Sequence, residues 1–105
     1  MKESDWKIFK QIKEKALEEY CQQSLDKFDE IIHDKKETVH KRYLSLYKSV
    51  RDRDKLLERM FDPHSRSKAQ LQLRAMRQEG LADESLLAEL SEEFLAATDP
   101  KRLFM

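Results

Sequence analysis

Two Glu-x-x-His spacings, Glu30 to His33 and Glu37 to His40, are the pattern in this chain closest to a metal-binding motif. A carboxylate and an imidazole three residues apart share one face of a helix. Di-iron bundles use two such pairs from facing helices, with a further glutamate from each of two others, all pointing inward. Here Glu30 and His33 fall opposite the side that carries Leu25, Phe28 and Ile32. Glu37 and His40 fall at the edge of a polar face. Both pairs read as solvated polar residues, so no metal and no cofactor is expected. A helix running straight through residue 38 would instead join the four into one exposed stripe able to take up zinc adventitiously.

Nucleophilic chemistry is no better provided for. The only cysteine, Cys21, lies at helical spacing among Leu17, Leu25 and Phe28 and reads as a buried, inert thiol. No base is near it in sequence, although His33 or His64 could approach in the fold. Ser, His and Asp all occur without a motif that gathers them. A phosphate loop or nucleophile elbow cannot be built from Gly80, the one glycine. The expectation is a protein that is not an enzyme.

The basic residues of the second half are the stronger candidates for binding. Lys41, Lys48, Arg51, Lys55 and Arg59 share one helix face, opposite an apolar seam. Arg51, Lys55 and Arg59 repeat at i, i+4, where like charges destabilise a helix by about 0.2–0.5 kcal/mol per pair. Asp52, Asp54 and Glu58 are close enough to damp this locally. An anionic partner, nucleic-acid phosphate or an acidic protein surface, would offset it from outside. The formal net charge of the whole chain is zero. Residues 34–80 nevertheless carry +6 and the flanking segments together −6, so the acidic ends are expected to fold against the basic middle. Nucleic acid is thus possible but not favoured, for want of an aromatic- or Gly-rich reading surface.

The elements that must position these residues are helices. One glycine, two prolines and 40% charged residues of both signs, in 105 positions, leave little else. A first helix is expected over about 5–33, capped by Ser4, with Phe9, Ile12, Ala16, Leu17, Tyr20, Cys21, Leu25, Phe28 and Ile32 as its apolar positions. Residues 34–38 form the turn, with Asp34 and Glu37 or Thr38 as caps. A second helix over about 38–61 carries a heptad seam, Val39, Tyr43, Leu46, Val50, Arg53, Leu57 and Met60, ended by Asp62-Pro63. Its oily side is expected to be sheltered by the first helix. Arg53 is the one charged member, a snorkelling residue or an ion-pair partner of Glu18 or Asp26. Tyr43 and Tyr47 are expected in the core, their hydroxyls at its edge. Shorter helices follow at about 68–79 (cap Ser67, inward Leu73 and Met76), 84–90 (cap Asp83) and 92–98 (cap Ser91). Gly80 suits a left-handed C-terminal closure with Leu81 against Met76.

The string His40-Lys41-Arg42-Tyr43-Leu44-Ser45-Leu46-Tyr47, followed by Arg53-Asp54, resembles small bacterial all-helical proteins to which no activity is assigned. The resemblance in layout runs from about Trp6 to Leu90. It implies a helical fold and a bacterial, cytoplasmic setting. The Arg77-Gln78-Glu79-Gly80-Leu81 corner is also similar to small helical-hairpin modules that mediate oligomerisation.

The expected architecture is therefore one all-α domain over residues 1–105: a long antiparallel hairpin, short C-terminal helices packed on it, and a mobile tail at 99–105. The third helix is too short to cover the hairpin's apolar face alone, so the last two helices or a second copy must complete the cover. The function expected is a protein–protein interaction or oligomerisation module, as a homodimer or adaptor, working through Tyr43, Leu46, Tyr47, Val50 and Leu57, with Leu103 and Phe104 as further contacts. The alternative is an anion- or nucleic-acid-binding regulator using the basic stripe. No membrane partner is expected. No stretch approaches the roughly 20 apolar residues that span a bilayer, and the first residues form no apolar signal core.

Overall fold

Alternation of long apolar-striped segments with short polar turns gives five helices in a computed structural model, which describes residues 1–101. They are α1 (Glu3–Ile32), α2 (Val39–Phe61), α3 (Arg66–Gln78), α4 (Glu84–Leu87) and α5 (Glu92–Ala97). The chain is all-α, with α1 and α2 forming the expected antiparallel hairpin. Its turn spans residues 33–38. There the Glu37 N–H donates to the Asp34 carbonyl, and the Thr38 hydroxyl caps α2 by accepting from the Lys41 N–H.

Helix ends follow local chemistry, with some corrections. Helix α1 starts at Glu3 after Lys2 and has no side-chain cap, so Ser4 lies inside it. Helix α3 starts two residues earlier than expected, after Ser65 rather than Ser67, and ends at Gln78. Gly80 has φ +70°, and the Leu81 N–H donates to the Met76 carbonyl while the Gly80 N–H donates to that of Arg77. These are the two bonds of a Schellman closure, and they aim Leu81 back into the core beneath Met76. Asp83 and Ser91 cap α4 and α5 as expected. Helix α4 is a single turn: after Leu87 the chain tightens through i→i+3 bonds and reaches Ser91.

The core lies at one end of the hairpin. Phe9, Ile12, Ala16 and Tyr20 of α1 pack with Met60 and Phe61 of α2, Ala69, Leu73 and Met76 of α3, and Leu81, Leu87, Leu90 and Phe94 beyond. The short helices cover the first half of α1 and the end of α2, and stop there. Residues 21–57 project from this base as a two-helix arm. The molecule measures 52 × 26 × 22 Å with a radius of gyration of 16.5 Å. A compact chain of this length would have a radius of roughly 13 Å. Among the described residues no helix is long and apolar enough to cross a membrane.

Candidate functional site

The arm corrects the expected hairpin seam. The α2 positions that turn toward α1 are Arg42, Leu46, Ser49, Arg53, Leu56 and Met60, again spaced four and three apart. Three of the six are polar. The Arg42 guanidinium donates to the Ile32 carbonyl, and Arg53 Nε donates to the Ser24 hydroxyl at 2.6 Å. Arg42 Nε and Ser49 Oγ are buried without a hydrogen-bond partner among the described residues. At 3.6 residues per turn, the apolar row Val39, Tyr43, Val50 and Leu57 is rotated from this seam by about a quarter-turn. It therefore looks out from one side of the hairpin.

Helix α1 shows the same offset. Its inward positions on the arm are Tyr20, Ser24 and Ile31, whereas Cys21, Leu25, Phe28 and Ile32 lie about a quarter-turn away. Because the helices are antiparallel, both displaced rows emerge on the same side. An open apolar groove of about 350 Å³ marks where they meet, lined by Cys21, Leu25 and Phe28 of α1 and by Val50, Arg53 and Leu57 of α2.

The exposure along this face is large. Tyr43 is 68% exposed, Tyr47 61%, Val50 44% and Leu25 61%. Leu46 and Leu57 are half-buried. The expectation that the tyrosines pack in the core, and that the whole oily side of α2 is sheltered, is thus overturned. Lys48 and Lys55 point outward as expected, and shelter reaches only the Leu56–Phe61 end. The reason is geometric: α3 to α5 bury the base, and α1 offers the arm a partly polar strip. Cys21 is half-buried on the rim of the groove rather than enclosed, since Leu25 beside it is exposed. His64 lies far from it in the fold, its ring tilted against that of Trp6 with centroids 5.2 Å apart.

Arg53 pairs with neither Glu18 nor Asp26. Its guanidinium lies 4.1 Å from the centre of the Tyr20 ring, and the Tyr20 hydroxyl donates to its carbonyl at 2.6 Å. Burial pushes the Tyr20 phenol above its ordinary range, and Arg53 opposes this in part.

The basic stripe is exposed throughout. Lys48 sits 3.7 Å from Asp52 and Lys41 4.0 Å from Glu37, and Arg51 lies over the Tyr47 ring at 5.8 Å. The acidic C-terminal helices do not neutralise it. They dock at the base, where Lys15 meets Asp83 at 2.6 Å and the Asp5 carboxylate accepts from the Ser91 N–H and hydroxyl. Arg74 and Arg77 of α3 donate to the Ala97 and Leu95 carbonyls at the end of α5. The Lys15 ammonium, the Ser85 hydroxyl and the Leu86 N–H hold the Asp83 carboxyl well below the usual carboxylate range.

The Glu-x-x-His residues stay apart from one another. His33 contacts Asp29 at 3.1 Å, and Glu30, Glu37 and His40 are exposed. No group of three His, Cys, Asp or Glu residues with metal-binding geometry occurs among the described residues. Leu103 and Phe104 lie outside the described residues.

One polar cluster is not legible as a motif. Lys13 is buried, donating to Gln72 Oε1 at 3.1 Å and lying 3.2 Å from His64 Nδ1. Gln72 in turn donates to the Pro63 carbonyl at 2.8 Å. Desolvation lowers the Lys13 ammonium from its ordinary value, against the pull of Asp62. The signal was its position: Lys13 falls on the inward stripe, four residues after Phe9. The cluster ties α1 to the α2–α3 turn.

No known protein family matches this chain, and neither curated proteins nor solved structures show significant similarity to it.

Proposed function

We propose that this protein works by helix-to-helix association, with the apolar side of its two-helix arm as the contact surface. The observation that carries the reading is the continuity of the exposed row: Leu25 and Ile32 on α1, Val39, Tyr43, Tyr47 and Val50 on α2. Single exposed apolar side chains are ordinary on any protein. Six on one side of one projecting element, with a groove between them, are what a docking face requires. The face measures about 25 Å by 20 Å from the helix rise and diameter, or on the order of 500 Å². That is the upper end of what a protein working alone exposes. Burying a side chain such as Val, Leu or Phe is worth about 1.5–3 kcal/mol, a strong drive toward a cover.

The fold fits this work. The base is closed by caps, a Schellman turn and a packed core, whereas the arm is held by a partly polar seam and owes little to α3–α5. The site residues are Tyr43, Tyr47 and Val50 at the exposed centre, with Leu46 and Leu57 at the edges of the groove. Size-exclusion of a cell extract, with the protein detected by antibody, tests the reading. The wild-type chain should elute as a species larger than its own 12.6 kDa mass allows, and Val50→Asp should elute later. Co-elution of both at the position of the elongated monomer would refute it.

A further inference from the structure

We infer that the occupant of this face is a basic amphipathic helix of another protein. Its apolar stripe fills the groove, and the Lys or Arg residues beside that stripe meet the groove's rim. The inference rests on the association reading above and specifies the partner's chemistry.

The floor of the groove is apolar and its rim is acidic. Asp54 lines the groove on the α2 side. At 3.6 residues per turn Glu58, one turn further along, stands on that same edge. On α1 the outer edge of the row of Cys21, Leu25 and Phe28 carries Glu18 and Asp29. All four carboxylates are exposed. Lys41, Lys48, Lys55 and Arg59 fall on the side of α2 turned away from the groove, so they leave this rim unneutralised. The arginines nearby are engaged. Arg53, in the floor, is held by the Ser24 hydroxyl and lies over the Tyr20 ring. Arg51, one row further out than Asp54, lies over the Tyr47 ring. Among the described residues no ion pair engages Glu18, Asp54 or Glu58, and Asp29 contacts His33.

The acidic edges oppose each other across the groove. The bond from Arg53 to Ser24 sets those two residues level. Glu18 and Glu58 lie on the base side of that bond by nearly the same count along each helix, so they flank the base end of the groove. Towards the tip the α2 edge is aromatic, with Tyr43 and Tyr47 exposed. A cationic, apolar-striped helix satisfies both features at once, in the helix-in-groove mode of recognition. A face about 25 Å long holds a helix of roughly 16 residues at 1.5 Å rise. The area buried on both partners is on the order of 1,000 Å², the size of a reversible contact.

The same rim disfavours other occupants. A twofold pairing of this face with a second copy sets one net-acidic edge against another, whichever way the axis runs. The chain's own basic side carries Leu44 alone among its cations and has no apolar stripe to offer the groove. Nucleic acid and anionic lipid are repelled.

Binding of two synthetic helices to the purified full-length chain, followed by fluorescence anisotropy at low salt, tests the inference. Each has about 16 residues with Leu at three-and-four spacing, and one carries Lys along both flanks of that stripe, the other Glu. The Lys-flanked helix should bind at least tenfold more tightly, and more weakly as salt rises. Glu18→Lys, Asp29→Lys, Asp54→Lys and Glu58→Lys in one chain should invert that preference. Leu25→Ser with Val50→Ser should weaken the Lys-flanked helix at least tenfold. Every altered residue is exposed, and thermal melts followed by circular dichroism verify that each variant folds. Sedimentation of the wild type alone should give a monomer. A Glu-flanked helix that binds as well as the Lys-flanked one, or a preference that the four-residue exchange leaves unchanged, overturns the basic partner and keeps the face as a docking surface. A Lys-flanked helix that binds the Leu25→Ser, Val50→Ser chain undiminished sits elsewhere and overturns both readings. Failure of either helix to bind overturns the inference, and so does a wild-type dimer that neither helix dissociates, which assigns the face to a second copy.

Discussion

Tyr20 and Arg53 hold each other through two contacts that run in opposite directions. The Tyr20 hydroxyl donates to the Arg53 carbonyl at 2.6 Å, and the Arg53 guanidinium lies 4.1 Å from the centre of the Tyr20 ring. With Arg53 Nε also bonded to Ser24, this is the joint between base and arm: below it the α1–α2 contact is aliphatic and aromatic, above it partly polar.

Tyr20→Phe removes the hydroxyl and leaves the Arg53 carbonyl without that donor, at a cost of about 1 kcal/mol by chemical denaturation. The variant should also change the alkaline response. Burial raises the folded-state phenol pKa, so the neutral form is favoured on folding. That contribution is fully present below the ordinary value of about 10 and is lost as pH rises toward the folded value. Melts recorded from pH 8 upward should show a shallower alkaline loss in Tyr20→Phe than in wild type.

Core and arm should differ sharply under truncation. Leu73 is fully buried between α1, α2 and the C-terminal turns, so Leu73→Ala should cost about 2–5 kcal/mol and lower Tm by roughly 10 °C or more. Val50→Ala removes methyl groups that already face water in the monomer. Its stability measured at low protein concentration should change by less than about 0.5 kcal/mol.

Gly80→Ala isolates a backbone effect. Its φ is +70°, and an added Cβ would meet nothing within 4 Å, so the substitution meets strain but no clash. The expected cost is about 1 kcal/mol, with Gly80→Asn less destabilising because Asn tolerates the left-handed region better. Equal unfolding midpoints for wild type and Gly80→Ala would show that the Schellman closure is not held in this form.

Asp83 ties the start of α4 to Lys15, and these donors depress its carboxyl. A depressed folded-state value contributes stability above the unfolded value of about 3.9, and that stability is lost as pH falls below it. Acid melts of Asp83→Asn should therefore converge on those of wild type toward the lowest pH and separate from them near neutrality, wild type being the more stable there.

Much of this was legible in the residues. Period, caps and breakers placed the five helices, because Thr38, Asp83, Ser91 and Gly80 act on their own few neighbours. The fully buried Phe9, Ile12, Ala16, Leu73 and Met76 are likewise regular in spacing. What misled was the facing of α2. Two rows four and three apart coexist on that helix, and apolar content favours the Val39–Tyr43–Val50–Leu57 row. The contact with α1 is instead made through Arg42, Ser49 and Arg53, since side chain-to-backbone bonds to Ile32 and Tyr20 and the Ser24 hydroxyl select it. Such bonds depend on which groups of a distant segment come level, a tertiary fact that no local spacing encodes. The row left over became the candidate site. Tyr43, Tyr47 and Val50 are legible from their spacing, and their exposure is not.

The occupancy of the arm's face is best measured through Cys21, the only thiol in the chain, on the rim of the apolar groove. Its rate of alkylation by a maleimide, followed in the cells that make the protein, should be at least tenfold slower in the wild type than in Val50→Asp, with both fast once denatured. Equal, fast labelling of the two folded forms would mean that the face stands open to water in the cell and that association is not its work.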